Sequence, residues 1–128
     1  MKYYLIAGEA SGDMHAANLM EELCVSDIEA QFKGFGGDKM QAQGLQLVKH
    51  YKEMAFMGFW EVVSNLNAIR ENFALAKSDI QSFQPDVLIL IDYPGFNMRI
   101  AKFAKKLAIK VVYYITPQVW AWKKGRIK

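Results

Sequence analysis

The chain has 128 residues, which suits one domain, and its 52% hydrophobic and 23% charged residues exclude an intrinsically disordered protein. The net charge of +3 is unevenly spread, because all thirteen acidic residues lie within residues 1–92 whereas residues 93–128 contain nine basic residues and no acidic one. Either an anionic partner or a compensating part of a longer protein would account for this split, and the sequence leaves both open.

Short apolar segments alternate with helical patterns along the chain. In order, the sequence predicts a strand at 3–7, a helix at 14–24, a strand at 31–35, a short helix from a turn at 36–38 to near 44, a weak strand at 45–48, a long helix at 58–83, a strand at 87–91, a helix at 97–107 and a strand at 110–115. The strand at 87–91 (VLILI) is apolar throughout, as a central parallel strand should be. Repeated β-α order predicts an α/β, Rossmann-like parallel sheet with helices on both faces.

The single cysteine and the two ends of the chain bear on compartment and completeness. One cysteine, Cys24, excludes a disulfide framework, fits a reducing compartment and is expected to pack among apolar helix residues. The apolar run before Glu9 is too short for a signal peptide or a membrane span, so we expect a cytoplasmic protein. The final residues, WAWKKGRIK, resemble the start of a helix without a C-cap, which favours an N-terminal piece of a larger enzyme.

Three polar, turn-rich segments follow predicted strands, at residues 8–13 (GEASGD), 92–97 (DYPGFN) and 116–122 (TPQVWAW). Parallel α/β sheets bind ligands beyond the carboxyl ends of their strands, so these segments predict a site there. In the first segment, Gly8 and Gly12 would let the backbone approach a ligand, and Ser11 or Asp13 can cap the following helix. Its amides would suit a phosphate or sugar hydroxyl, although it matches no dinucleotide or triphosphate fingerprint, and a plain capped turn is the alternative.

Asp92 ends the most hydrophobic strand, where a carboxylate is costly unless it is hydrogen-bonded or functional. Such a carboxylate could act as a general base with a pKa raised by apolar surroundings, and the alternative is a cap on the helix near Asn97. In the third segment, Gln118 and Trp120 lie close to several basic residues, which suits either sugar and phosphate contacts or interdomain packing. His15 and His50 are isolated, with no spacing for a metal, and His15 is expected to be a surface residue.

Four motifs occur in order: GEASGD, MGF-x-EV at 57–62, ID-x-P-x-FN at 91–97, and TPQVWAW followed by basic residues. From Gly8 to Arg126, nearly the whole chain resembles the lipid-A-disaccharide synthase family. That resemblance implies two Rossmann-like domains in the GT-B arrangement, of which residues 1–128 would be the truncated N-terminal, acceptor-side domain. The UDP-binding residues would lie in the absent C-terminal domain, and the chain alone is expected to be inactive.

The resemblance also implies a reaction. 2,3-Diacylglucosamine would pass from its UDP derivative to the 6-hydroxyl of 2,3-diacylglucosamine 1-phosphate (lipid X), with inversion, forming the β-1,6 disaccharide of lipid A. Asp92 matches the family's carboxylate and would be the base. Glu9 and Ser11 would hold sugar hydroxyls or phosphate, and Gln118 and Trp120 would shape the acceptor pocket. No metal, other cofactor or nucleic acid is expected, and a homodimer is left open.

The long predicted helix carries more apolar residues at its start than burial on the sheet requires. The expected core-facing positions are Phe59, Val62, Leu66, Ile69, Phe73, Ala76, Ile80 and Phe83. The surplus consists of Phe56, Met57, Trp60 and Val63. Because both implied substrates carry acyl chains, the surplus predicts a contact with acyl chains at the inner face of the inner membrane, and interdomain packing is the alternative.

Two rival classes remain. Another sugar-nucleotide enzyme, such as a UDP-sugar epimerase, would not be expected to carry TPQVWAW. A flavodoxin-like or receiver-like module would need a Ser/Thr-rich phosphate loop or clustered acids after the first strand. Neither is present at residues 8–13.

Overall fold

The computed structural model describes residues 1–53, 66–92 and 94–114. Its strands are β1 (Lys2–Ala7), β2 (Gln31–Gly36), β3 (Leu45–His50), β4 (Val87–Ile91) and β5 (Lys110–Tyr114). Its helices are α1 (Ala10–Ser26), α2 (Asp38–Ala42), α3 (Leu66–Phe83) and α4 (Pro94–Lys106), and a single 3₁₀ turn covers Tyr51–Glu53. The predicted bounds of β4 are confirmed, β3 is two residues longer than predicted, and residue 115 and the predicted start of the long helix at 58 lie outside the described residues.

The five strands form one parallel sheet in the order β3-β2-β1-β4-β5. This confirms the α/β, Rossmann-like fold class. The chain leaves β1 towards β2 on one side, and it later crosses over to place β4 on the other side of β1. The strand order therefore reverses between β1 and β4, where open α/β sheets form a crevice for ligands.

Among the described helices, α1 and α2 cover one face of the sheet, and α3 and α4 cover the other. On the first face, α1 and α2 contribute Ala16, Ala17, Met20 and Met40 to a core built on β1 and β4. On the second face, α3 and α4 contribute Ala76, Ile80, Ile100 and Ala104. The predicted core-facing pattern of the long helix is confirmed from Phe73 to Phe83, while Phe59 and Val62 lie outside the described residues.

Two of the helices that begin at the carboxyl end of the sheet, α1 and α4, start earlier than predicted. α1 begins at Ala10 rather than residue 14, and α4 begins at Pro94 rather than residue 97. In α1, Gly12 and Asp13 have poor helix propensity, but tertiary contacts override it because the Gly12 backbone packs directly on β1 and β4. In α4, proline is favourable in the first turn, where its missing amide hydrogen is not needed. The sequence GEASGD is thus mostly helix rather than loop.

Cys24 is exposed, so the prediction that it packs is wrong. α1 has seventeen residues and is about 25 Å long, whereas the six residues of β1 span about 20 Å. The last turns of α1 therefore project past the sheet, and Val25 and the following Ile28 are exposed as well.

At the amino end of the sheet, charged groups are paired. The N-terminal ammonium group lies 2.9 Å from Asp27, and this hydrogen bond holds the pKa of Asp27 below its usual range. The Tyr3 hydroxyl donates to the same carboxylate at 3.1 Å, and burial is the main cause of the raised pKa of Tyr3. The backbone amide of Lys2 donates to Asp86 at 2.8 Å, which ties β1 to the start of β4.

Candidate functional site at the carboxyl end of the sheet

The site is built where β1 and β4 end side by side. Ala7 pairs with Ile91 in the parallel register, so Gly8 and Asp92 follow neighbouring strands at the point where the strand order reverses. The structure therefore brings together the first two sequence-predicted segments, as expected for parallel strands.

The junction between β1 and α1 presents two polar side chains. Gly8 is buried, and Glu9 occupies the N-cap position of α1 with an extended backbone and no capping hydrogen bond from its side chain. Instead, the Ser11 hydroxyl donates to Glu9 Oε1 at 3.1 Å, and both residues are exposed. Ser11 therefore does not cap α1, and its hydroxyl and the Glu9 carboxylate lie beside the positive end of the helix dipole.

Gly12 has a packing role that the sequence did not predict. It is buried in α1, and a Cβ atom at this position would lie 3.3 Å from Ala7 Cβ and 3.4 Å from Ile91 Cγ2. The missing side chain lets the first turn of α1 rest directly on the ends of β1 and β4. Gly12 thereby fixes the height of the Glu9–Ser11 pair above the sheet.

Asp13 caps α2 instead of its own helix. Its carboxylate is buried and accepts backbone hydrogen bonds from Gly37 at 2.9 Å, Lys39 at 3.0 Å and Met40 at 3.0 Å. These are amides of the first turn of α2 and the residue before it, which have no intrahelical acceptor. Asp38 is the first helical residue of α2, and the cap acceptor is Asp13 from a neighbouring element.

Both histidines have neighbours in the structure, His50 through hydrogen bonds and His15 through a ring contact. The Lys52 amide donates to His50 Nδ1 at 3.1 Å, so Nε2 carries the hydrogen that points to Asp38 Oδ1 at 3.1 Å. His15 is half-buried, and its ring lies 6.2 Å from the ring of Tyr114. Within residues 1–53, 66–92 and 94–114, no group of three or more metal-binding side chains is found.

Asp92 is half-buried and has a left-handed backbone, with φ of 47°. Its amide donates to the Tyr114 carbonyl at 2.9 Å, and its carbonyl accepts from Asn97 Nδ2 at 2.8 Å and from the Tyr113 hydroxyl at 3.0 Å. Aspartate tolerates this conformation better than most residues. Because α4 begins at Pro94, Asp92 lies one residue outside the N-cap position, which weakens the alternative that it caps the helix.

The pKa of Tyr113 is affected by burial and by the negative charge of Asp92. Burial raises the pKa of its hydroxyl, and the negative charge of Asp92 raises it further. The hydroxyl therefore stays protonated and remains a hydrogen-bond donor to the Asp92 carbonyl.

Sequence reasoning placed Asn97 in the second segment without giving it a role in the site, and it missed Tyr113. Asn97 is fully buried in the first turn of α4, and a polar residue among the apolar positions of a helix was the available signal. Tyr113 gave no signal, since a tyrosine in a strand is ordinary. Gln118 and Trp120, and the surplus apolar residues Phe56, Met57, Trp60 and Val63, lie outside the described residues.

Comparisons with known proteins decide the family. The family model described as Lipid-A-disaccharide synthetase matches residues 3–128. The chain belongs to this family. It is 48% identical to the lipid-A-disaccharide synthase of Geobacter metallireducens, 45% identical to that of Geobacter sulfurreducens, and 44% identical to lipid-A-disaccharide synthase 1 of Legionella pneumophila strain Philadelphia 1. These alignments cover 124 residues, which is 96–97% of this chain and 32% of each relative.

The chain thus spans about a third of the length of the lipid-A-disaccharide synthases that it matches. Membership confirms the resemblance carried by the four motifs and disfavours the epimerase, flavodoxin-like and receiver-like alternatives. In the part of the chain that the structure describes, no helix has the length and apolarity needed to span a bilayer.

Proposed function

We propose that the chain is the N-terminal, acceptor-side domain of a lipid-A-disaccharide synthase with the GT-B arrangement. The enzyme transfers 2,3-diacylglucosamine from its UDP derivative to lipid X, with inversion at the anomeric carbon. The observation that carries this proposal is a carboxylate, Asp92, at the strand-order reversal of a chain that belongs to this family. Matching a third of the relatives supports the placement of the nucleotide-sugar domain in the remainder of a longer protein.

Asp92 acts as the general base. Its carboxylate takes the proton of the acceptor 6-hydroxyl while that oxygen attacks the anomeric carbon and UDP departs with the bonding electron pair. A base must lie within about 3 Å of the hydroxyl, and a carboxylate fixed at the mouth of the crevice meets this requirement when the acceptor enters between β1 and β4.

The junction between β1 and α1 holds the acceptor. Glu9 and Ser11 are exposed there and supply acceptor and donor groups for sugar hydroxyls, while the N-terminal amides of α1 favour an anionic group. Gly8 and Gly12 contribute by bringing this junction close to the sheet. Gln118 and Trp120 shape the rest of the acceptor pocket.

Product formation tests the proposal. The full-length protein, mixed with both substrates, should form the β-1,6 disaccharide, as measured by mass spectrometry and by the stereochemistry of the new bond. The 128-residue chain alone should form none, because it lacks the donor domain. No disaccharide from the folded full-length protein would rule out the activity, and disaccharide from the chain alone would rule out the division into two domains.

A membrane surface is the second part of the proposal. Phe56, Met57, Trp60 and Val63 contact acyl chains, and the exposed basic residues of α4 attract anionic lipid at the inner face of the inner membrane. These basic residues are Arg99, Lys102, Lys105 and Lys106. A surface groove of about 370 Å³ that includes Arg99 adds two further basic side chains, Arg70 and Lys77.

Vesicle co-sedimentation tests the membrane contact. Trp60→Ser with Val63→Ser should reduce binding of the full-length protein to anionic vesicles. The matched control is Val25→Ser, because Val25 is 80% exposed at the far end of α1 and should not contribute. Equal binding by all variants, with the fold intact, would count against the membrane contact and favour interdomain packing.

A further inference from the structure

Hydrogen bonds from two different elements hold the main chain of Asp92 in place. Its carbonyl accepts hydrogen bonds from Asn97 Nδ2 in α4 and from the Tyr113 hydroxyl in β5, at 2.8 and 3.0 Å. Its amide donates to the carbonyl of Tyr114 at 2.9 Å. Both polar groups of this peptide segment therefore have fixed directions.

The left-handed conformation makes these bonds matter for the direction of the carboxylate. With φ of 47°, Asp92 occupies a region that is less stable than the extended or right-handed regions for an L residue. Rotation of the backbone back to negative φ would swing the Cα–Cβ bond and move the carboxylate away from its present place. Two donors on one carbonyl oppose that rotation.

The burial of the Asn97 side chain is energetically unfavourable. Its side chain is fully buried, and its Oδ1 atom has no hydrogen-bond partner among the residues that the structure describes. Its Nδ2 atom lies 2.8 Å from the Asp92 carbonyl and only 3.4 Å from each of the carbonyls of Ile6 and Ile91, so the bond to Asp92 is the strong one. An apolar side chain would avoid a buried unpaired oxygen, so packing alone does not account for an amide here.

We propose that Asn97, assisted by Tyr113, is the positioning residue that keeps the Asp92 carboxylate aimed at the acceptor hydroxyl. The inference rests on the proposed function, because it assigns Asn97 a role that acts only through the base. Asn97 itself does not touch the substrates.

A double-mutant cycle in the full-length enzyme tests the inference. Asn97→Ala should lower kcat by about tenfold or more, since a misplacement of about 1 Å can cost 100-fold in rate, and should leave both KM values within about twofold. In the Asp92→Asn background, the same substitution should change kcat by less than about twofold, because the group that Asn97 positions is already lost.

Tyr113→Phe is the variant that keeps the test decisive if Asn97→Ala does not fold. It removes one of the two donors but retains the ring, so a fall in kcat of about threefold is expected, again absent in the Asp92→Asn background. Tyr3→Phe is the matched control, because it also loses one phenolic hydrogen bond, to Asp27 at the opposite end of the sheet. It should lower the melting temperature without changing kcat.

The outcomes separate this inference from the proposed function. Equal losses of kcat from Asn97→Ala, or from Tyr113→Phe, in both backgrounds would show a purely structural role and overturn the inference alone. A melting-temperature loss with unchanged kcat would do the same. Near-normal turnover of Asp92→Asn itself would remove the base assignment, and the positioning role of Asn97 with it.

Discussion

The two ends of the sheet are built differently. At the amino end, Asp27 and Asp86 face partners that neutralise or satisfy them, namely the N-terminal ammonium group and the Lys2 amide. At the carboxyl end, Glu9 makes no capping bond, Asp92 is left-handed and Asn97 keeps an unpaired buried oxygen. Several departures from the most stable local arrangement thus lie at the carboxyl end, which carries the candidate site.

Left-handed residues occur at both ends but for different reasons. Gln84 and Ala108 follow the last turns of α3 and α4, and their amides bond back to helix carbonyls at 2.9 and 3.0 Å. A left-handed residue is a common way to end a helix. Asp92 instead follows a strand, and side chains from other elements hold it. The left-handed conformation thus arises from helix termination at Gln84 and Ala108 and from tertiary hydrogen bonds at Asp92.

The sharpest test of this comparison replaces one carboxylate at each end of the sheet with an amide. Asp92→Asn in the full-length enzyme should lower kcat by at least about 100-fold, the lower range for loss of a general base. Asp86→Asn, at the amino end, should leave kcat unchanged. Binding of the UDP donor should hardly change in either variant, as measured by calorimetry. Comparable kcat losses in both variants would show that the carboxylates at the two ends do not differ in their effect on catalysis.

Not every carboxylate at the carboxyl end is a candidate for catalysis, and we expect a purely structural role for Asp13. Asp13→Ala leaves buried amides of Gly37 and Met40 without an acceptor and should lower the free energy of unfolding by about 3 kcal/mol. Asp38→Ala should lower it far less, because the Asp38 side chain is 85% exposed. Urea denaturation measures both. Similar losses from the two variants would show that the Asp13 hydrogen bonds contribute little.

Asp13 also shows how much of the structure can be predicted from the sequence. A capping residue was predicted near α1, and the chemistry was right, but the recipient helix was wrong because its amides come from residues 37–40. Pairing across distant parts of the chain is invisible to local patterns. Both bounds of β4 were predicted correctly, because five consecutive apolar residues are most stable where both faces of the strand are buried, at the centre of the sheet.

The site was predictable to the same degree. Asp92 and the residues after β1 were placed correctly at one end of the sheet, since parallel strands bring successive carboxyl ends together. The hydrogen bonds that Asn97 and Tyr113 make to Asp92 could not be predicted, because they depend on the backbone angle of one residue. The early start of α1 was missed for a similar reason, since it depends on the contact of Gly12 with two strands.

A smaller effect is expected at Tyr4, which belongs to the paired, stabilising part of the molecule. Its hydroxyl donates to Asp79 at 2.7 Å, and burial, together with this bond, raises its pKa far above the usual range. The folded state therefore keeps Tyr4 neutral, and its contribution to stability is complete below pH 10 and is lost as the pH rises further. Above pH 10, Tyr4→Phe should reduce the fall in unfolding free energy by up to about 1.4 kcal/mol per pH unit.

Urea denaturation between pH 8 and pH 11 measures this difference. At pH 8 the Tyr4→Phe variant should be about 1 kcal/mol less stable than the unaltered protein, because one hydrogen bond is missing. The two stability curves should then converge as the pH rises. Curves that stay parallel above pH 10 would show that the hydroxyl ionises equally well in the folded state.

The smallest effect concerns two glycines in the first turns of helices at the carboxyl end. A Cβ at Gly95 would meet no atom within 4 Å, so Gly95→Ala should stabilise the fold by about 0.5 kcal/mol through lower entropy of the unfolded chain. Gly12→Ala should destabilise it, because the new methyl group would press on Ala7. Thermal denaturation distinguishes the signs. A stabilising Gly12→Ala would mean that α1 does not rest on the strands as closely as described.

The position of β1 between β2 and β4 has a consequence for the order of folding. Tyr3 pairs with Phe32 on one side and with Val87 on the other, roughly three times as far along the chain, so the second pairing closes a much longer loop at a higher entropic cost. The β1–β2–β3 unit and the β4–β5 unit can each form through shorter loops before they join. Because the site lies between β1 and β4, it forms only when these two strands pair. A chain in which β1 and β4 are unpaired would lack the crevice even if its other strands and helices had formed, so a ligand of the crevice would report complete folding of the sheet.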